Sequence, residues 1–382
     1  MPTAKQSSSR ILSLDILRGI TIAGMIMVNN QGDEEHAFLP LTHAEWIGLT
    51  PTDLVFPFFM FIMGITTYLS LKKYQFEWSV PCVKKILKRA FLLWFIGLAI
   101  AWLLAFCRGM VSPADPTCGF GERLWAAANT LGTIRILGVL PRLGICYGLA
   151  AITAITVKHK YIPWLIAAIF VAYFVILECF NGYAHDASNV IAVVDNAILG
   201  SNHVYRWDSP DPEGILSTLP AWAHVLIGFS VGRFVMQKKD LNDKIEMFFI
   251  IGALLVFGGF LLSYACPISK KLWTPTFSMV SCGLASTLLA LLTWVIDKRQ
   301  HQDRITHFFH IFGVNPLALY IFSDLLLIPL AICFHVQQTC YKDLFVPIMG
   351  EPMGSLLWSL IFVALVWLFG CYLFKKKIFI KL

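Results

Sequence analysis

LTHAEWIGLTPTDLVFPFFMF occupies residues 41–61. Its second half reads as a helix start. Thr50, Thr52 and Asp53 stand just ahead of an apolar run, where side-chain oxygens cap the unpaired N–H groups of a first turn. The run continues to about residue 71, long enough to cross a hydrocarbon core of about 30 Å. Its first half sets a histidine, a tryptophan and an acid just before that run. A plain membrane anchor has no use for them. Either they cap the helix or they form a site at the membrane surface.

The same apolar pattern recurs along the chain. Ten candidate spans lie at roughly 11–30, 51–71, 86–107, 133–157, 161–180, 214–236, 245–265, 273–296, 307–334 and 355–374. The span at 307–334 is long and carries Asn315-Pro316 and Pro329, so a kink or break is expected there. Composition agrees: of 382 residues, 57% are hydrophobic and 14% charged, whereas soluble chains are about 25% charged. Twelve Trp and eleven Tyr suit interfacial belts. The fold class is all-α, a polytopic integral membrane bundle of about ten helices, with 1–382 as a single domain. No internal repeat or low-complexity segment appears.

The net charge of +7 has a topological explanation and needs no nucleic-acid partner. With the N-terminus inside and alternating spans, inside segments hold 21 Lys and Arg and outside segments 6. The positive-inside rule then makes both termini cytoplasmic. Residues 1–10 become a cytoplasmic tail, 181–213 the longest outer loop, and the stretch before Pro51 faces outward. Of the ten cysteines, Cys107, Cys118, Cys179, Cys266, Cys333 and Cys340 fall on or near the outer side. An oxidising compartment permits disulfides among them; isolated small apolar residues are the other reading. No CxxC or HxxxH spacing suggests a metal site.

Three arginines fall within spans, where charges are rare and face a protein interior or a water-filled cavity. Asp15 and Arg18 in SLDILRG are spaced i, i+3, so they share a helix face and can pair. Arg135 and Arg142 are two turns apart and also share a face. They call for something anionic nearby, either protein carboxylates or a phosphorylated ligand that fits the guanidinium fork.

The loop between the first two spans carries Asp33, Glu34, Glu35 and Glu45 and no Lys or Arg. Such an acidic mouth steers cations, a protonated amine for example; acids also collect outside simply because bases are kept inside. His43 is suited to general-base chemistry near neutral pH. Trp46 is placed to shield it, and Asp53 either orients its ring or only caps the second span.

Taken together, RILSLDILRGITIAGMIMVNN (10–30) and LTHAEWIGLTPTDLVFPFFMFIMG (41–64) resemble the heparan-α-glucosaminide N-acetyltransferase family. IRILGVLPRLG (134–144), DPEGILSTLPA (211–221), KKLWTPTF (270–277) and the tail KKKIFIKL (375–382) extend the match. The resemblance implies a transmembrane acetyltransferase in a bacterial inner membrane, with acetyl-CoA as the cytoplasmic co-substrate. It implies an acceptor amine on a glucosamine-containing glycan of heparan sulfate type at the opposite face, and a homodimer in contact with membrane lipid. His43 takes the place of the family's catalytic histidine, and Asn29 that of a second active-site residue. Asp53 and Trp46 are expected to support His43; Arg18, Arg142 and Arg135 are the candidates to meet the anionic co-substrate. A glycan O-acetyltransferase and a sugar transporter share the span pattern and remain the competing functions.

Overall fold

The computed structural model describes residues 11–113 and 117–380; the expected cytoplasmic tail, 1–10, lies outside them. No strand occurs among the described residues. Among the described residues ten helices are long and apolar enough to cross a membrane. They are α1 (Leu12–Asn29), α2 (Pro51–Lys72), α3 (Val80–Val111), α4 (Val139–Thr156), α5 (His159–Cys179), α6 (Thr218–Met236), α7 (Leu241–Leu262), α8 (Pro275–Lys298), α9 (Pro316–Cys333) and α10 (Glu351–Lys375). These are the ten segments that hydropathy marks out, with boundaries shifted by a few residues.

Burial sorts the ten into an inner and an outer set. In α1, α2, α4 and α6, 67% of the membrane-crossing window is buried, against 11% in α3 and 17% in α5 and α7. The outer helices carry the most uniformly apolar sequences, because a helix that meets lipid all round has no polar face to hide. The inner helices hold Asp15, Asp53, Arg142 and His224, all buried, consistent with a protein interior being the tolerable place for polar groups at membrane depth.

Small residues set how closely the inner helices approach. Gly64 of α2 and Gly228 of α6 face one another. A Cβ on Gly64 would collide with the Val225 carbonyl, and one on Gly228 with the Phe61 carbonyl. Gly19 of α1 and Gly313 of the helix Arg304–Val314 do the same with the carbonyls of Phe309 and Asp15. This backbone-to-backbone contact is a general device for helix association in lipid, where apolar side chains gain little by leaving the solvent.

The long span at 307–334 is broken where its sequence suggests. The helix Arg304–Val314 ends at Asn315, and α9 restarts at Pro316. Proline has no N–H to continue the ladder and disfavours helix at the residue before it. The Asn315 side chain then bonds the C-terminal segment: its amide donates to the Ile378 carbonyl at 2.8 Å, and its oxygen accepts from Ile380 N–H at 2.9 Å. The connections after α3 and α5 are not plain loops. Residues Phe120–Ala128 and Val190–Leu199 form short helices. All ten cysteines are free thiols.

The close approach of α2 and α6 gives a direct prediction. Gly228→Leu forces the two backbones apart and should cost about 1–3 kcal/mol or more, as overpacking of interiors does. Thermal unfolding of the detergent-solubilised protein would report it as a lowered midpoint, and a surface change such as Gly132→Ala, where an added Cβ meets nothing within 4 Å, should have little effect.

Candidate active site

The N-terminus of α2 builds the first half of the site. Thr50 is its N-cap, Pro51 takes the first helical position, and Asp53 closes a capping box, in which side chains satisfy the orphan N–H groups of the first turn. One oxygen of the Asp53 carboxylate, Oδ2, accepts from the N–H groups of Thr50 at 3.0 Å and Ala44 at 3.1 Å. The other, Oδ1, lies 2.7 Å from His43 Nδ1. Asp53 is buried to 1% side-chain exposure, while His43 is 47% exposed. One carboxylate thus starts the helix and fixes an imidazole at its mouth. With Nδ1–H donated to Asp53, the lone pair of Nε2 is left for a partner from solution.

A second loop, from α7 to α8, closes over this corner. Gly48 N–H donates to the Ile268 carbonyl at 2.8 Å, and the Ser269 hydroxyl donates to the Trp46 carbonyl at 2.6 Å. The ammonium of Lys270 then lies 3.1 Å from His43 Nδ1, 3.3 Å from Nε2 and 3.8 Å from Asp53 Oδ1. Burial pushes the Lys270 pKa down, against the opposing pull of the Asp53 and Glu213 charges. Trp273 ends the same turn. It is fully buried and holds a positive φ of 50°, a left-handed backbone that non-glycine residues adopt rarely and at a cost. Its ring packs edge-on against Phe56 and Phe277 and lies 5.0 Å beneath the Arg142 guanidinium.

Arg142 and Arg135 lead to the third component, the turn Asp211-Pro212-Glu213-Gly214. Arg142 is fully buried and donates to the carbonyls of Pro212 at 2.7 Å and Gly214 at 2.9 Å, and to the Ser217 hydroxyl. Arg135 pairs with Asp211 and, at 2.6 Å, with Glu213. Burial acts to raise the Glu213 carboxyl, but the charges of Arg135, Arg142 and Lys270 outweigh it and hold the pKa below the usual carboxylate range. Arg135 lies ahead of α4, which starts at Val139, so the two arginines do not share a helix face as expected; they converge instead on this one turn, and what meets them there is protein.

Other expected residues lie elsewhere. Trp46 stacks on His185 with ring centroids 4.1 Å apart and donates its indole N–H to the Tyr183 carbonyl at 3.1 Å. Asn29 is the last residue of α1 and is exposed; no hydrogen bond joins it to His43 among the described residues. Its neighbour Asn30 is buried, with its amide on the Ile26 carbonyl at 2.7 Å and its side-chain oxygen without a protein partner. Arg18 bonds Asp15 at 3.1 Å and borders a cavity of about 360 Å³ with Thr66, Lys72 and Lys244. Lys72 ends α2, nineteen residues after Asp53, so this cavity and His43 stand at opposite ends of one helix, roughly 30 Å apart at 1.5 Å per residue.

Residues 10–266 match the catalytic-domain model of heparan-alpha-glucosaminide N-acetyltransferase. The chain belongs to that family. A mouse protein of the family, heparan-alpha-glucosaminide N-acetyltransferase, is 25% identical over 448 residues, covering 100% of this chain and 62% of the relative. The human protein of the same name is 25% identical over 378 residues, covering 82% of this chain and 52% of its own length. The chain therefore spans about half to three-fifths of the curated relatives it matches. The matched segment contains the site's residues except those within 268–277, which begin two residues past its end.

Lys270, Trp273 and Asp195 are the residues that sequence reading missed. Asp195, in the helix Val190–Leu199, accepts at Oδ1 from the N–H groups of Ile215 at 2.8 Å and Leu216 at 3.1 Å, while Oδ2 is buried without a partner. Burial, helped by the nearby Asp211 charge, pushes its pKa up to about 6. A carboxyl that is harder to ionise folded than unfolded stabilises the fold fully below its unfolded pKa. That contribution is lost as pH rises through the folded pKa. Wild-type thermal stability should therefore fall between about pH 4 and pH 7 by up to about 3 kcal/mol. Asp195→Asn, which keeps the Oδ1 acceptor, should flatten that fall and exceed wild type at pH 8.

Proposed function

We propose that this chain is a membrane-embedded N-acetyltransferase, using acetyl-CoA from the cytoplasmic side to acetylate the amine of a glucosamine-type sugar at the outer face of a bacterial inner membrane. The observation that carries this reading is the buried Asp53 carboxylate 2.7 Å from Nδ1 of the exposed His43, in a chain of this family. Family membership supplies the reaction class, and the asymmetry of lysines and arginines supplies the side on which His43 stands. In this reading the protein acts as a homodimer.

The chemistry follows from the dyad. An amino sugar arrives as an ammonium, drawn by the acidic loop around Asp33, Glu34, Glu35 and Glu45. His43 Nε2 takes one proton and frees the nitrogen lone pair, while Asp53 keeps the imidazolium oriented. The amine attacks the thioester carbonyl, the C–N bond forms and the C–S bond breaks. The second nitrogen proton goes to the departing thiolate, and His43 returns its proton to water. Asn29 is proposed to hold the carbonyl oxygen as negative charge develops; one such donor contributes about 10²–10³ in rate.

The co-substrate carries several negative charges and cannot enter lipid, so its nucleotide end needs a basic pocket on the inner side. The cavity beside Arg18, Lys72 and Lys244 has the charge for it and lies at the correct end of α2. Arg135 and Arg142 are proposed to serve the co-substrate through the 211–217 turn that they hold, and Trp46 to frame the outer mouth.

The reading is tested by CoA release from acetyl-CoA and glucosamine. His43→Ala should abolish it, and Asp53→Asn should lower it by at least about 100-fold, the low end of what general acid–base catalysis contributes. Equal release by wild type and His43→Ala would sink the assignment and favour a transporter. Mass analysis of the product, amide against ester, separates N- from O-acetylation.

A further inference from the structure

The Lys270 ammonium has an unusual address. It is close to both ring nitrogens of His43, at 3.1 and 3.3 Å. A point nearly equidistant from the two at that range cannot lie in the ring plane, because it would collide with Cε1 between them. The ammonium therefore sits over the face of the imidazole. There it occupies neither in-plane nitrogen position: Nδ1 is directed at Asp53, and Nε2 keeps its lone pair.

This placement has an electrostatic consequence. A carboxylate in the ring plane at 2.7 Å favours a positively charged imidazole, and alone it would let the base fill with a proton before the substrate arrives. A positive charge over the ring face opposes that. The other charges near Lys270 are Glu213 of the 211–217 turn and Lys271 on its own loop; Glu45 and Arg206 act on Lys271. Glu213 is already committed to Arg135 at 2.6 Å. Asp53 and Lys270 therefore set opposite charges against the same ring, one at Nδ1 and one over its face. The His43 loop and the Lys270 turn are also fixed together through Ser269–Trp46 and Gly48–Ile268, so the stack is held by backbone and not only by a flexible side chain.

We propose that Lys270 is a positioning residue for the acetyl transfer, stacking its charge on His43 so that the imidazole enters each turnover neutral and able to take a proton from a substrate ammonium. The proposal rests on the transferase reading for its meaning but not for its test. It predicts a base that stays available in mildly acidic surroundings, where an Asp-paired histidine without such a neighbour would already be protonated.

The experiment compares full-length, detergent-solubilised wild type with Lys270→Met, Lys270→Gln and Lys270→Arg. Diethyl pyrocarbonate modifies neutral imidazole, so its rate at His43, followed by peptide mass analysis from pH 5 to 8, reads the ring's charge without any turnover. In Lys270→Met and Lys270→Gln the midpoint of that rate should move up by about one pH unit. Lys270→Arg should stay near wild type. CoA release should show the same displacement on its acid side, with wild type and variants converging as pH rises. An unchanged labelling midpoint in both neutral variants overturns the proposal. So does loss of CoA release to the same degree at every pH, because that would make Lys270 a group that contacts substrate. If wild type itself releases no CoA, the transferase reading fails while the labelling comparison still decides what Lys270 does.

Discussion

The carboxylate of Asp53 is the constraint on which the rest turns. One oxygen closes the first turn of α2, and the other holds His43. Because α2 packs backbone to backbone on α6 at Gly64 and Gly228, the helix start is fixed relative to the bundle, and the imidazole inherits that precision. A side chain on an exposed loop is normally loose; this one is tied to a helix of the buried inner set through a single buried acid. Local capping and candidate catalytic geometry are the same interaction.

Around that point, four stretches distant in sequence assemble into a chain of alternating charge. Asp53 is followed by Lys270, Lys270 by Glu213, Glu213 by Arg135, and Arg135 by Asp211. Burying such groups singly would cost several kcal/mol each, and pairing with further hydrogen bonds is what makes burial tolerable. The two arginines of α4 and its leading segment illustrate this. Their guanidiniums meet the carboxylates and carbonyls of one short turn, so removal of either would strand buried groups on both sides.

What the sequence reveals and what it hides follow from the range of each interaction. The spans are legible because hydropathy is a property of consecutive residues. The break at Asn315-Pro316 is legible because proline acts on its immediate neighbours. Asp53 beside His43 is legible as a possibility because ten residues separate them and a helix cap lies between. Lys270 is hidden as a neighbour of His43 because 227 residues separate the two, and its one sequence signal is its place in the family-like KKLWTPTF stretch. Asp211 and Glu213 were visible only as part of a family-like motif; nothing local connects them to Arg135, 76 and 78 residues earlier. The helices Phe120–Ala128 and Val190–Leu199 went unread because they are too short for a membrane-crossing pattern.

The clasp at Asn315 places the tail of the chain in an unexpected position of influence. The backbone of Ile378 and Ile380 completes the hydrogen bonding of an asparagine that separates two helices, and the first of those helices lies directly on α1 through Gly313 and Gly19. An affinity tag or reporter fused behind residue 380 would therefore pull on an internal elbow rather than hang from an inert end. Linker length becomes a variable in any assay of the protein, and a short, stiff fusion would be felt along α1, the helix that joins the Arg18 cavity to the loop that carries His43.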